Sequence, residues 1–365
     1  MKQDIKNKIE SIISNPNAYD KEIIFQLKQL LYDVELQYVA EKESKSIADL
    51  VSESLNQLNS TTQPNIIKSG FPDFDNSFNG FGLGEFVVIG GRPSMGKTQL
   101  MVNLALNISL ETPILYFTFD LSISSLTNRF ISSLSGIGMD QLLQHTITDE
   151  KKEKLALVEK EFSKHKIFIN DNFNASIVAL KAHCKKMIEE KGVKVIFVDY
   201  IQMMSSNKYR NSREFEISYI IRELKSIAKD FNVCVIATSQ LSRAVETRIG
   251  SKYPQLSDLR DSGTIEQDAD KVIFIYRPEY YGIEFDEDSN STTGITELIL
   301  AKNRNGKLGT IKLLRDTEFT NYRNYEYKKY EFSFSASRLS ELKATNPNVD
   351  FNIDNLDVNT DIPPF

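Results

Sequence analysis

The chain has 365 residues, 41% hydrophobic and 26% charged, with a formal net charge of −6, enough length for one large domain with appendages or two modest ones. The acidic balance excludes a protein that is basic all over, so any nucleic-acid contact has to come from local loops. Two distant cysteines, Cys184 and Cys234, and three histidines without ligand spacing argue against a disulfide framework or a His/Cys metal centre.

The first residues, MKQDIKNKIESIIS, are charged and carry no apolar signal core, and no apolar run reaches membrane-spanning length; a soluble, cytoplasmic protein without membrane contact is expected. Residues 1–62 read as helical. Ile23, Phe25, Leu27, Leu30, Leu31 and Val34 fit an amphipathic helix loosely, and Ile47, Leu50, Val51, Leu55 and Leu58 fit one better. The polar stretch NSTTQPN at 59–65 reads as a linker. From Ile66 onward short β-branched and aromatic runs alternate with helical patterns, predicting strands at 86–89, 114–119, 167–169, 193–198, 233–237, 272–276, 297–300 and 310–313. Strands that alternate with helices and are apolar on both faces predict an α/β domain over 63–340, its mostly parallel central sheet flanked by helices. The last two strands lie closer together and predict an antiparallel edge pair. Residues 341–365, rich in Asn and Asp, read as a disordered acidic tail.

The strongest local signal is Gly91-Arg92-Pro93-Ser94-Met95-Gly96-Lys97-Thr98, a G-x-x-x-x-G-K-T phosphate loop between an apolar run and a helical pattern; these residues and Gln99 are expected to bind the nucleotide. Glycines let successive N–H groups curl round phosphate oxygens, and the helix N-terminus adds partial positive charge. Lys97 can neutralise the outer phosphates of ATP, and Thr98 can hold Mg²⁺. Asp199 ends the apolar run VIFVD and is placed for the metal; the plainer reading is a turn cap. Asp120 ends the apolar run within YFTFDLS. It either orients the attacking water or caps the following helix, for which Ser122 is also suited. Gln240 ends a third apolar strand.

Five segments in order, GGRPSMGKT, FVDYIQMM, ATSQLSRAVETR, SDLRDSGTIEQDADKVIFIYRPEYY and LILAKNRNGKLGT, resemble the RecA-like motor domain of DnaB-type hexameric replicative helicases over about residues 64–315. The resemblance implies a RecA-like P-loop ATPase fold and an enzyme that couples ATP hydrolysis to DNA unwinding. It also implies a ring, a hexamer in that family, with ATP at subunit interfaces and single-stranded DNA in the lumen. Gly91, Gly96, Lys97 and Thr98 would form the phosphate and Mg²⁺ site, with Asp199 serving the metal and Gln240 coupling nucleotide state to DNA. Lys302 and Arg304 would reach the neighbouring subunit's ATP; on the residues alone they read as a hairpin turn around Asn305-Gly306. Arg260, Asp261 and Gly263 match the loop that grips the strand's backbone. The loop from Lys208 through Arg210 to Arg213 is a second channel candidate or a solvated helix start. Two departures stand out. About 60 residues precede the motor, too few for the family's whole N-terminal helical domain, although residues 46–58 resemble its linker helix. Asp120 stands where the family has Glu, one methylene longer. The end of the tail, Asp361-Ile-Pro-Pro-Phe365, resembles the tip of bacterial single-stranded-DNA-binding proteins and implies docking of replication partner proteins; the alternative is a solubilising tail. Other functions compatible with the sequence are a RecA-like DNA-binding ATPase that does not unwind, and a nucleotide-gated structural ring.

Overall fold

The computed structural model describes residues 2–14, 20–40, 46–59, 66–171, 176–206, 208–209, 211–259, 263–318 and 320–325. The expected acidic tail and its DIPPF tip lie outside the described residues. The chain divides into two compact units, Met1–Pro64 and Asn65–Phe365. The first consists of α1 (Lys2–Ile13), α2 (Asp20–Ala40) and α3 (Ile47–Asn59). Ser46 starts α3 by accepting the Asp49 N–H at 3.1 Å while its own hydroxyl donates to the Asp49 carboxylate at 2.7 Å, which satisfies a donor the first turn would leave open. The apolar residues of the expected amphipathic helix, Ile47, Leu50, Val51 and Leu55, are exposed along one side of α3.

In the second unit, β1 (Ile66–Ile67) and β2 (Phe81–Gly82) pair around α4 (Pro72–Phe78). There follow β3 (Phe86–Gly91), α5 (Lys97–Ser109), β4 (Ile114–Thr118), α6 (Ile123–Ser135), α7 (Met139–Leu143) and α8 (Asp149–Phe162). Next come β5 (Ile167–Asn170), α9 (Ile177–Lys191), β6 (Val195–Asp199), α10 (Arg213–Phe231), β7 (Cys234–Gln240) and α11 (Ala244–Thr247). The unit closes with α12 (Gly263–Asp268), β8 (Lys271–Tyr276), β9 (Ile295–Asn303), β10 (Gly309–Arg315) and β11 (Tyr322–Asn324).

Among the described residues nine strands form one sheet in the order β11-β10-β9-β8-β3-β7-β6-β4-β5. The six from β8 to β5 are parallel to their neighbours, and β9, β10 and β11 add antiparallel pairs. Alternate residues serve two cores. Val88, Phe117, Ile196 and Val235 pack with Leu180, Ile220 and Leu224 of α9 and α10. Val87, Ile89, Tyr116 and Phe197 pack with Leu100, Leu104 and Phe130 of α5 and α6. Burial on both faces is why these strands read as continuous apolar runs. The expected last pair, β9 and β10, does pair antiparallel but is not the edge, because β11 adds beyond it; three residues carry too little pattern to be legible as a strand. No helix among the described residues is long and apolar enough to cross a membrane.

Candidate functional site

Strand order gathers the site. β3, β7, β6 and β4 are parallel, so their C-terminal ends lie at one edge of the sheet, where open α/β sheets bind ligands. Gly91 pairs with Gln240, and Thr118 pairs with Asp199. Residues from widely separated segments therefore surround one cleft of about 410 Å³.

The loop after β3 is shaped by steric necessity. A Cβ on Gly91 would lie 2.4 Å from Ile275 Cγ2, and Gly96, at φ +97°, would place one 2.2 Å from the Tyr322 hydroxyl oxygen. Ser94 also takes a positive φ of 64°, which bends consecutive amides towards a common centre. Lys97 Nζ donates to the carbonyls of Gly91 at 2.8 Å and Arg92 at 3.0 Å. Burial pushes the Lys97 ammonium down to about 8, with Arg92 acting in the same sense and Asp199 and Asp120 opposing.

Asp199 is 4% exposed. Thr98 donates to its Oδ2 at 2.8 Å, Tyr116 to the same oxygen at 3.3 Å, and Thr238 to Oδ1 at 2.5 Å. Burial, with the Asp199 charge beside it, raises the Tyr116 hydroxyl well above the ordinary range. A carboxylate held this tightly next to the Thr98 hydroxyl is the kind of hard-oxygen pair a divalent cation accepts.

Asp120 lies two residues beyond the end of β4, exposed and lining the cleft. It is not the helix cap. Ser122 fills that position, its hydroxyl accepting the Ser125 N–H at 3.3 Å at the start of α6. Gln240 lines the same cleft, and its N–H donates to Gln202 Oε1 at 3.3 Å while Gln202 Nε2 donates to Ser239 Oγ at 2.9 Å.

Several expected loop side chains point elsewhere. Arg92 turns to an ion pair with Glu246 at 2.8 Å and donates to the Leu241 carbonyl at 2.8 Å. Met95 is core, and the Gln99 amide donates to Ser133 Oγ at 2.8 Å and to the Thr320 carbonyl. Pro93 and Ser94 line the cleft. The cleft also receives Arg129 from α6, Arg277 from the end of β8, Arg315 from the end of β10, and Tyr200 and Tyr322, none singled out from sequence. Arg277 Nη1 donates to the Ser94 carbonyl at 3.0 Å and Nη2 to Glu279 at 2.7 Å. Arg277 was the most accessible of these to sequence reasoning, since it follows an apolar strand directly. Lys97, Arg129, Arg277 and Arg315 outnumber Asp120 and Asp199 around the cleft, an excess suited to a polyphosphate.

A family model described as the DnaB-like helicase C terminal domain matches residues 66–324. A probable replicative DNA helicase of Trieres chinensis is 39% identical over 315 residues, covering 84% of this chain and 68% of that one. The replicative DNA helicase DnaB of Rickettsia typhi is 34% identical over 365 residues, covering 90% and 73%. Among solved structures, a DnaB-like replicative helicase described with its interactions with primase gives a TM-score of 0.73 at 30% identity, covering 89% of this chain and 76% of that one. A second solved structure, described as an ATPase domain, gives 0.71 at 32%, covering 78% and 100%. The chain belongs to the DnaB-like helicase family.

In this DnaB-like helicase the two remaining cations lie at the far end of the sheet. Lys302 pairs with Val272 and Asn303 with Lys271, at the start of β8 and level with the start of β3. The Lys302 ammonium donates to the carbonyls of Glu266 and, at 3.1 Å, Gln267. Arg304 donates to the Gln267 carbonyl and pairs with Asp270 at 3.3 Å. Both therefore clasp the C-terminal end of α12 and stay out of the cleft. Of the expected DNA segment, Arg260 and Asp261 lie outside the described residues, and Gly263 opens α12. In the second candidate loop Arg210 lies outside them as well. Arg213 is bound to the carbonyls of Gln202 at 2.7 Å and Met204 at 3.1 Å and to Glu216, so its charge is engaged within the loop base.

Proposed function

We propose that this helicase is an ATP-driven motor that assembles as a ring, hexameric as in the family it belongs to, and moves 5′ to 3′ along single-stranded DNA. Residues 63–340 form the motor, 1–62 its N-terminal helices and linker helix, and 341–365 a tail. ATP occupies the cleft, with its phosphates on the loop from Gly91 to Thr98. Mg²⁺ held beside Thr98 and Asp199 would neutralise charge on the phosphates. Thr98 supplies its protein oxygen, and Asp199 fixes the direction of that hydroxyl. Lys97 leaves the loop carbonyls for the outer phosphates. Asp120 orients the attacking water, and Gln240 reports nucleotide state through Gln202 to the loop before α10. Arg260, Asp261 and Gly263 hold the backbone of the strand.

One observation carries this reading: the phosphate loop, Asp199, Asp120 and Gln240 share one end of the sheet, whereas Lys302 and Arg304 are at the other. Cations so placed cannot serve their own cleft and suit a neighbour's, where a guanidinium stabilises charge on the transferring phosphoryl group. Arg304→Ala is expected to bind nucleotide normally while losing ATP turnover and forked-duplex unwinding, measured by nucleotide titration, phosphate release and strand displacement. Normal turnover in Arg304→Ala would refute the role in trans.

A further inference from the structure

The loop between β6 and α10 carries an aromatic surface that the nucleotide cleft does not use. The Tyr209 and Phe215 ring centroids are 6.2 Å apart, and Tyr209 and Tyr219 are 6.1 Å apart. Tyr209 is 56% exposed and Phe215 62%, unusual for large rings that cluster together rather than scatter singly. The Lys208 ammonium sits 4.7 Å from the centroid of the Tyr219 ring, so the patch is apolar at its centre and cationic at its rim. Tyr209 holds a left-handed backbone at φ 61°, a costly conformation for a bulky residue.

Two links fix where this patch stands. Ser218, on the α10 turn between Phe215 and Tyr219, makes a 2.8 Å hydrogen bond with Thr264, the residue after Gly263. The patch is thus beside the segment proposed to hold the DNA backbone. Arg213, at the start of α10, bonds the Gln202 carbonyl, and Gln202 bonds Ser239 and Gln240 at the nucleotide cleft. The same few residues therefore join the patch to both sites.

We infer that Tyr209 and Phe215, with Tyr219 and Lys208 behind them, form a stacking platform for the bases of the single strand whose phosphates are gripped beside Gly263. Every base has a π face, so such a platform holds DNA without reading its sequence, and the Lys208 charge lies where a neighbouring phosphate would pass. This rests on the single-strand reading above and adds to it: the grip is on bases as well as on backbone.

The test compares an oligo-dT strand with an abasic strand of the same length, which carries the same phosphates and no bases. Wild type is expected to bind oligo-dT about tenfold more tightly. The double variant Tyr209→Ala/Phe215→Ala is expected to bind both strands alike, near the abasic affinity, whereas Tyr209→Phe keeps the preference. A double variant that retains the preference, or a wild type that has none while binding both strands, overturns the platform and leaves the single-strand reading standing. Wild type binding neither strand overturns that reading and the platform together. Loss of ring assembly in the double variant with the preference intact assigns the patch to a subunit contact and overturns the inference.

Discussion

At the scale of single residues, the most consequential group is Lys97. Burial holds its ammonium down to about 8 while the nitrogen rests on the carbonyls of Gly91 and Arg92. A polyphosphate favours the charged form, so binding raises this value. Below pH 8 the ammonium is already charged and binding needs no proton. Above pH 8 the free protein has lost the proton, and binding must take one up. Nucleotide affinity is therefore expected to fall as pH rises through about 8, with proton uptake visible as a dependence of the binding heat on buffer ionisation enthalpy. Affinity and heat that stay flat from pH 7 to 9 would contradict this account. Lys97 was legible from the motif because the chemistry lies in the residue type. Arg92, Met95 and Gln99 were not, because a G-x-x-x-x-G-K-T pattern specifies a backbone path and leaves the direction of intervening side chains to their neighbours. Here Glu246, the core under β3, and Ser133 claim those three.

At the scale of elements, the ends of strands carry the chemistry. Apolar runs ending in Gly91, Asp120, Asp199 and Gln240 were visible in the sequence because a strand buried on both faces is nearly all apolar, and the first polar residue marks its end. Strand order was not visible. It depends on pairings between segments more than a hundred residues apart, such as Val88 with Val272, and those pairings bring Arg277 and Arg315 to the cleft. The junction of β4 and α6 separates two jobs that the letters FDLS leave mixed: Ser122 caps the helix, and Asp120 faces the cleft. Ser122→Ala is expected to cost about 1 kcal/mol of stability, read as a lower Tm, whereas Asp120→Ala leaves Tm unchanged and loses turnover. Asp120→Glu is expected to raise DNA-stimulated phosphate release by roughly tenfold or more, since a misplacement of roughly 1 Å can cost on the order of a hundredfold. A drop in Tm for Asp120→Ala, or an unchanged rate for Asp120→Glu, would show that the strand end is built differently from this description.

At the scale of the whole molecule, a net charge of −6 is compatible with DNA binding so long as the contacting cations are local. On the proposed function, the division of labour between the two ends of the sheet would make each subunit half of two sites. Lys97→Ala removes the phosphate grip and keeps Arg304, and Arg304→Ala does the reverse. Mixed together, these two inactive proteins are expected to recover part of the ATP turnover as their interfaces pair an intact loop with an intact arginine. Turnover that stays at zero across all mixing ratios, with assembly confirmed by negative-stain imaging, would place both residues in one site. Helix α12 gives this arrangement a mechanical consequence. It is six residues long, about 9 Å at 1.5 Å per residue. One end is Gly263, proposed to hold the strand's backbone, and the other end offers the carbonyls that Lys302 and Arg304 clasp. Lengthening it by a single residue would turn one end against the other by about 100°. On the proposed roles, the grip on the track and the trigger for the neighbour's fuel would share one short, stiff shaft, and neither could be retimed without the other.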